Sequence, residues 1–323
     1  MNSLYHYGSV QANPLYNCSA MSPEEWTETL GVKRVFLGTI VLVFGIFVEI
    51  IYVPCLIAII KRGLLKYSCY KIMFLLGICD MIATSLCTCL AGYLFIKGAV
   101  FCSYPELIYI CGSIALGGWI LSCGLTLMLV INRITDMMIP SISDSIFWKN
   151  RTWIVSLIPI SYAAYAVIFT QPISFSSKHM AWIGDPLIHP NRSAEYYNGL
   201  QNINNIVFIT STILFYSAYS FYVWKMSMTY KMTSGKNVFI QSTLICSINC
   251  SSALIYSTMM FVQPHEYVVL FGELTWSLVH GCPAIIYLTM NKTIRQEVIS
   301  WFKKPNSIST MSQINLSANT SDK

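Results

Sequence analysis

Charge is what this sequence has least of. Only 11% of its 323 residues are Asp, Glu, Lys or Arg, while 55% are hydrophobic. A water-soluble domain carries about 25% charged residues. The shortage excludes a chain that turns most of its surface to water. Other absences narrow the reading further. No phosphate-binding glycine loop and no Ser-His-Asp set occurs, and His6, His179, His189, His265 and His280 are scattered, so an enzyme is not expected. The twelve cysteines show no metal-ligand spacing (Cys87 and Cys89 are too close together, and no histidine joins them). Neither a metal nor another cofactor is expected. No internal repeat appears, which speaks against a transporter built from two halves. Residues 1–34 lack the apolar core of a cleaved signal peptide, so the first apolar segment is expected to direct its own insertion.

What the chain does have is long apolar runs. A helix crosses the hydrocarbon layer in about 20 apolar residues. Seven segments qualify, at roughly 36–60, 71–96, 105–131, 153–170, 203–225, 238–263 and 267–290. They must be helical, because lipid offers no partner to an open backbone group. The expected architecture is an all-α, seven-transmembrane bundle over 36–290. Residues 1–35 form an outer tail. Residues 291–304 form a short amphipathic helix, with Ile294, Val298, Trp301 and Phe302 on its apolar face. Residues 305–323, polar and Ser/Thr-rich, form a disordered cytoplasmic tail that could carry kinase sites.

Orientation follows from the twenty basic residues. With the amino terminus outside, Lys33, Arg34, Lys97, Lys178 and Arg192 lie outside and the other fifteen lie on the inner side. Inner loops attract positive charge, so this partition predicts an outer amino terminus and an inner carboxyl terminus. The net charge of +6 is read as topology and lipid contact. It is dispersed over separate loops, so nucleic acid is not an expected partner. Two sequons fall on the outer side, at Asn17 and Asn191, and are expected glycosylation sites. Cys18 and Cys102 are the cysteines expected in the oxidising outer space. They are free either to pair, tying the tail to the top of the third helix, or to remain thiols. The other cysteines read mainly as small packing residues.

Charges inside the membrane are costly, about 2.5–3.5 kcal/mol at a helix centre. Asp80 and Glu49 should therefore face the bundle interior, as a polar internal site or as neutral packing acids. On the third helix Gly112, Trp119, Thr126 and Arg133 recur every seven residues and share one face. Ala115, Leu116, Trp119 and Ile120 are expected to floor an outer ligand cavity, with Glu273 or Trp276 closing its side.

Asn132-Arg133 at the inner end of the third helix resembles the Asp/Glu-Arg-Tyr motif of rhodopsin-like receptors, with Asn in place of the acid and Ile134 in place of the Tyr. Asp136, one turn on, stands where it could partner Arg133 instead. Pro283-Ala284-Ile285-Ile286-Tyr287, followed by Asn291 and Arg295, resembles the Asn-Pro-x-x-Tyr motif. The Asn is missing, and Pro283 stands one residue too far from Tyr287. Two further departures stand out. No cysteine lies between Cys123 and Cys246, so the usual bond from the third helix to the second outer loop is excluded. The sixth helix lacks Cys-Trp-x-Pro, and its Pro264 lies at the outer end.

The blocks Glu49-Ile-Ile-Tyr-Val-Pro54-Cys-Leu, Ser68 to Met81, Phe101-Cys-Ser-Tyr-Pro105 and His280 to Arg295, with Tyr16-Asn17-Cys18-Ser19, resemble nematode serpentine chemoreceptors of class T. That resemblance implies a G protein-coupled receptor in the plasma membrane of a sensory cilium, responding to an environmental small molecule. It implies a heterotrimeric G protein as partner, with Asp80, Asn132, Arg133, Pro283 and Tyr287 in switching and coupling. Intramembrane Glu49 and Asp80 leave an ion channel or transporter as the rival, and homo- or hetero-oligomers stay open.

Overall fold

The structure is a computed structural model that describes residues 2–229, 236–259, 261–262 and 265–302. Pro264, Lys303, Lys304 and the expected disordered tail lie outside the described residues. Among the described residues seven long helices follow one another: α1 (Val35–Lys61), α2 (Ser68–Lys97), α3 (Pro105–Met138), α4 (Arg151–Phe169), α5 (Gly199–Thr229), α6 (Lys236–Met259) and α7 (Glu266–Met290). A short α8 (Lys292–Ser300) follows, capped by the Asn291 side chain, which accepts from the Thr293 and Ile294 amides. Among the described residues five helices, α1 to α4 and α7, are long and apolar enough to cross a membrane on length and composition alone.

The bundle is inside-out by the standards of a soluble protein. Phe36, Val43, Ile50, Ile154, Ile158, Leu214 and Phe271 are exposed on its outer face, while Asp80, Asn132, Asn205, Glu273 and His280 are buried within it. Apolar surface pointing outward is stable where hydrocarbon is the solvent, and polar groups then gather inside, where they find one another. Between helices, small residues permit close approach. A Cβ on Gly38 would come within 2.5 Å of the Gly92 carbonyl oxygen, and one on Gly92 within 2.7 Å of the Gly38 carbonyl oxygen. Those two glycines set the α1–α2 separation.

α2 is interrupted by a π-helical turn over Ser85–Leu90. The turn carries Ser85 to Glu49, whose Oε1 accepts from the Ser85 hydroxyl at 3.1 Å. Here the structure corrects the expectation for Glu49. It is half-buried beside α2 rather than enclosed in the interior, and the Ser85 hydroxyl compensates its carboxyl. α3 runs seven residues beyond its expected end. There Thr135 caps back onto the Ile131 and Asn132 carbonyls, and Pro140 opens a separate short helix (Pro140–Phe147).

Residues 2–30 fold into a cap on one end of the bundle. They include a helix at Pro23–Leu30 begun by a Ser22 capping box, in which the Ser22 amide and hydroxyl hold the Glu25 carboxyl below the ordinary carboxylate range. Cys18 and Cys102 are disulfide-bonded across 84 residues. The Trp26 indole donates to the Cys18 carbonyl at 3.0 Å. Tyr16 is buried edge-on against Tyr109 and Tyr196, and its hydroxyl donates to Gln171 at 2.5 Å. Between α4 and α5 the chain folds into an antiparallel hairpin, β1 (Ser174–Ser176) and β2 (Ala181–Ile183), paired Phe175 to Trp182. Both faces of the hairpin are buried, and it plugs the same end of the bundle as the cap.

Candidate functional site

Under the hairpin lies a cavity of about 20 Å³, walled by Leu116, Trp119, Ile173, Gln201, Tyr256 and Trp276. That volume admits about one water molecule. Leu116, Trp119 and Trp276 were expected there. Ala115 and Ile120 are fully buried in the surrounding core and do not line the cavity. Leu116 and Trp119 are three residues apart and share a helix face, which their neighbours flank. Ile173, Gln201 and Tyr256 were not foreseen. The residues around Ile173 lie in a loop without periodicity, and Tyr256 reads in sequence as one apolar helix residue among many.

Each polar element of the site has a traceable anchor. The Trp119 indole nitrogen donates to Asn205 Oδ1 on α5 at 2.8 Å, and its ring meets Phe208 edge-on. Trp276 stands between Tyr256 and His280, at ring separations of 6.1 and 6.2 Å. Glu273 is 1% exposed and is not in the cavity wall. Its Oε2 accepts from the Tyr256 hydroxyl at 3.2 Å and from the Trp182 amide at 3.3 Å. The carboxyl thus joins α6, α7 and the hairpin. Gly112 lets the hairpin seat: a Cβ there would fall 1.8 Å from the Ile173 carbonyl oxygen.

Deeper in the bundle, Asp80 is fully buried. Its Oδ1 lies 2.8 Å from His280 Nδ1, and its Oδ2 accepts from the Tyr52 hydroxyl at 2.8 Å. Tyr52 also lies 3.0 Å from the His280 carbonyl. Three helices therefore meet on one carboxyl group. His280 Nε2, Thr84 Oγ1 and the Tyr287 hydroxyl have no hydrogen-bond partner among the described residues. In the sequence His280 stands alone, with no neighbouring partner. A usable signal was there: a histidine and an aspartate at membrane depth both need partners.

At the far end of the bundle a cleft of about 460 Å³ opens between α2, α3 and the Pro140–Phe147 helix. Its walls include Lys66, Tyr70, Arg133, Asp136, Asp144 and Lys149. Arg133 is half-buried, and among the described residues no ion pair restrains it. Asp136 does not partner it. Asp136 accepts from the Ser143 hydroxyl instead, because the short helix after α3 brings Ser143 back against it. Asn132 is buried and donates to Ser68 Oγ at 3.0 Å. Pro283 and Tyr287 are buried in α7, and Tyr287 packs into a core with Ile72, Leu129 and Ile245. α8 lays Ile294 and Val298 into that core. Arg62 pairs with Glu297 at 2.5 Å, and Lys61 stands 4.8 Å over the Trp301 ring. Phe302, expected on the apolar face of this helix, is 85% exposed and packs on none of the core.

Comparison with known proteins agrees with this architecture. Serpentine receptor class T-55 of Caenorhabditis elegans is 26% identical over 290 residues, covering 88% of this chain and 79% of that protein. The family described as serpentine type 7TM GPCR chemoreceptor Srt matches residues 3–311. A match of that extent takes in the cap, the seven helices, both cavities and α8: the chain is a multi-pass integral membrane protein and belongs to the Srt family of serpentine chemoreceptors.

Proposed function

We propose that this protein is a G protein-coupled chemosensory receptor for an environmental small molecule, placed in the plasma membrane of a sensory cilium. The cap and hairpin face outward and α8 lies in the cytoplasm. The ligand enters the cavity beside Trp119. Because that cavity is water-sized, binding must select a wider arrangement, and a ligand shifts such an equilibrium only through its differential affinity for the two states. Asp80, with Tyr52 and His280, ties α1, α2 and α7 at the level where such a rearrangement would pass. Arg133 and Tyr287 then engage the heterotrimeric G protein, with Asn132 and Pro283 setting their position. Asn17 and Asn191 carry glycans, and Asn191 and Ser193 are exposed as that requires.

The observation that carries this reading is α3 itself. One unbroken helix bears Leu116 and Trp119 in the wall of the cavity and Arg133 in the wall of the open cleft. The test is a ligand screen with calcium or cyclic-nucleotide readout, repeated with Arg133→Ala at matched surface expression. Loss of the response with ligand binding retained is the expected result. An undiminished response would overturn the assignment of Arg133.

A further inference from the structure

We propose that the ligand of the Trp119 cavity is a small organic cation, an amine protonated at neutral pH, recognised by the Glu273 carboxyl and by the Trp119, Tyr256 and Trp276 rings. This deepens the receptor reading above and rests on it.

Glu273 is enclosed in the bundle, yet its hydrogen bonding is one-sided. Both of its donors, the Tyr256 hydroxyl and the Trp182 amide, go to Oε2, while Oε1 has no partner among the described residues. Both donors are neutral, and no salt bridge among the described residues involves Glu273. A buried carboxyl without a counter-charge is expensive to keep, and its cost falls when a cation arrives.

The cavity supplies the second observation. Three of its six wall residues are aromatic, its polar wall residue is the neutral Gln201, and none of the six is basic. Aromatic faces attract ammonium groups, more strongly when water is excluded. A carboxylate or phosphate ligand would meet an acidic neighbour and no cation. Tyr256 belongs to both features, since it walls the cavity and donates to Glu273. The carboxyl therefore stands one hydrogen bond behind the wall. An ammonium group that displaces the Tyr256 hydroxyl meets the carboxyl directly. The same movement breaks the α6–α7 link through Tyr256 and leaves the Trp182 amide as the remaining donor to Glu273, which gives the bound cation a mechanical consequence.

The test uses the purified full-length receptor in lipid nanodiscs. The probes are propylamine, trimethylamine and tetramethylammonium, with propanol and tert-butanol as uncharged counterparts, and the readout is the thermal unfolding midpoint. At least one cation should raise the midpoint saturably, and the alcohols should not. Glu273→Gln should weaken that cation's apparent affinity at least tenfold, and Glu273→Asp should restore part of it. If Glu273→Gln does not fold, Trp276→Leu carries the test, with a loss of at least fivefold expected. The proposal is overturned if no cation shifts the wild-type midpoint, if alcohols match cations, or if the substitution leaves cation affinity unchanged. An uncharged odorant that signals through Arg133 would defeat the amine assignment alone. Cation binding with signalling indifferent to Arg133→Ala would defeat the coupling reading alone.

Discussion

The indole nitrogen of Trp119 on α3 donates to Asn205 Oδ1 on α5 at 2.8 Å, with both side chains buried. This bond pins the floor of the cavity to the helix beside it. Trp119→Phe would leave Asn205 with an unmet acceptor, and a buried polar group left unpaired costs about 1–3 kcal/mol. Asn205→Ala should cost a similar amount. The double variant should fall short of the sum by at least about 0.5 kcal/mol if the two are coupled. Strict additivity of unfolding midpoints would show that the bond contributes little.

Gly112 is required by the hairpin rather than by α3. Gly112→Ala would thrust a methyl into the Ile173 backbone and should destabilise the receptor by about 1–3 kcal/mol, the usual cost of overpacking. Gly118 on the same helix is the control. A Cβ there meets only the Ala83 methyl at 3.5 Å, so Gly118→Ala should be neutral or slightly stabilising, as Ala is the better helix former. Equal effects at both positions would contradict the close approach of the hairpin.

The Cys18–Cys102 bond holds the cap to the start of α3 across 84 residues. Removing such a crosslink costs about 2–5 kcal/mol. Cys18→Ser, Cys102→Ser and the double variant should lower the unfolding midpoint by the same amount, since each abolishes the same bond. Mild reduction of the wild type should reproduce the effect. If the double variant were markedly worse than either single one, the cysteines would be acting separately.

Acid should loosen the hairpin through His179. Burial first, and then the neighbouring Lys178 charge, hold its imidazole below the ordinary histidine value, with Asp185 opposing them. The folded state therefore prefers the neutral ring, and the unfolded state binds the proton more readily. The stability this contributes is present above about pH 6.5 and is lost as pH falls below it toward the folded-state value. The unfolding midpoint should drop between pH 7.5 and 5.5, and His179→Asn should shrink that drop. An identical drop in the variant would place the sensitivity elsewhere.

The span positions were legible in the sequence because hydrocarbon leaves little choice: the segment expected at 36–60 is Val35–Lys61, and the one at 267–290 is Glu266–Met290. The faces of those helices were less legible. α1 is apolar all round, so its periodicity does not separate the lipid side from the bundle side, and Glu49 was placed too deep. Trp119 and Trp276 stand out in the sequence by residue type and Leu116 by its spacing to Trp119, while their meeting in one cavity wall is a tertiary fact. The Asp80–His280 contact joins residues 200 positions apart, a pairing that no local pattern encodes. The hairpin was missed for a related reason. Three-residue strands buried on both faces show no alternation to read, and their stability comes from the bundle they plug.

Every functional assignment above requires the capped end of the bundle to face outward. Epitope tags at the amino terminus and after Lys323, read with antibodies on intact and then permeabilised cells, test this directly. The amino-terminal tag should be labelled on intact cells and the other tag only after permeabilisation. Labelling after Lys323 on intact cells would invert the bundle, and the ligand cavity and the coupling cleft would exchange sides with it.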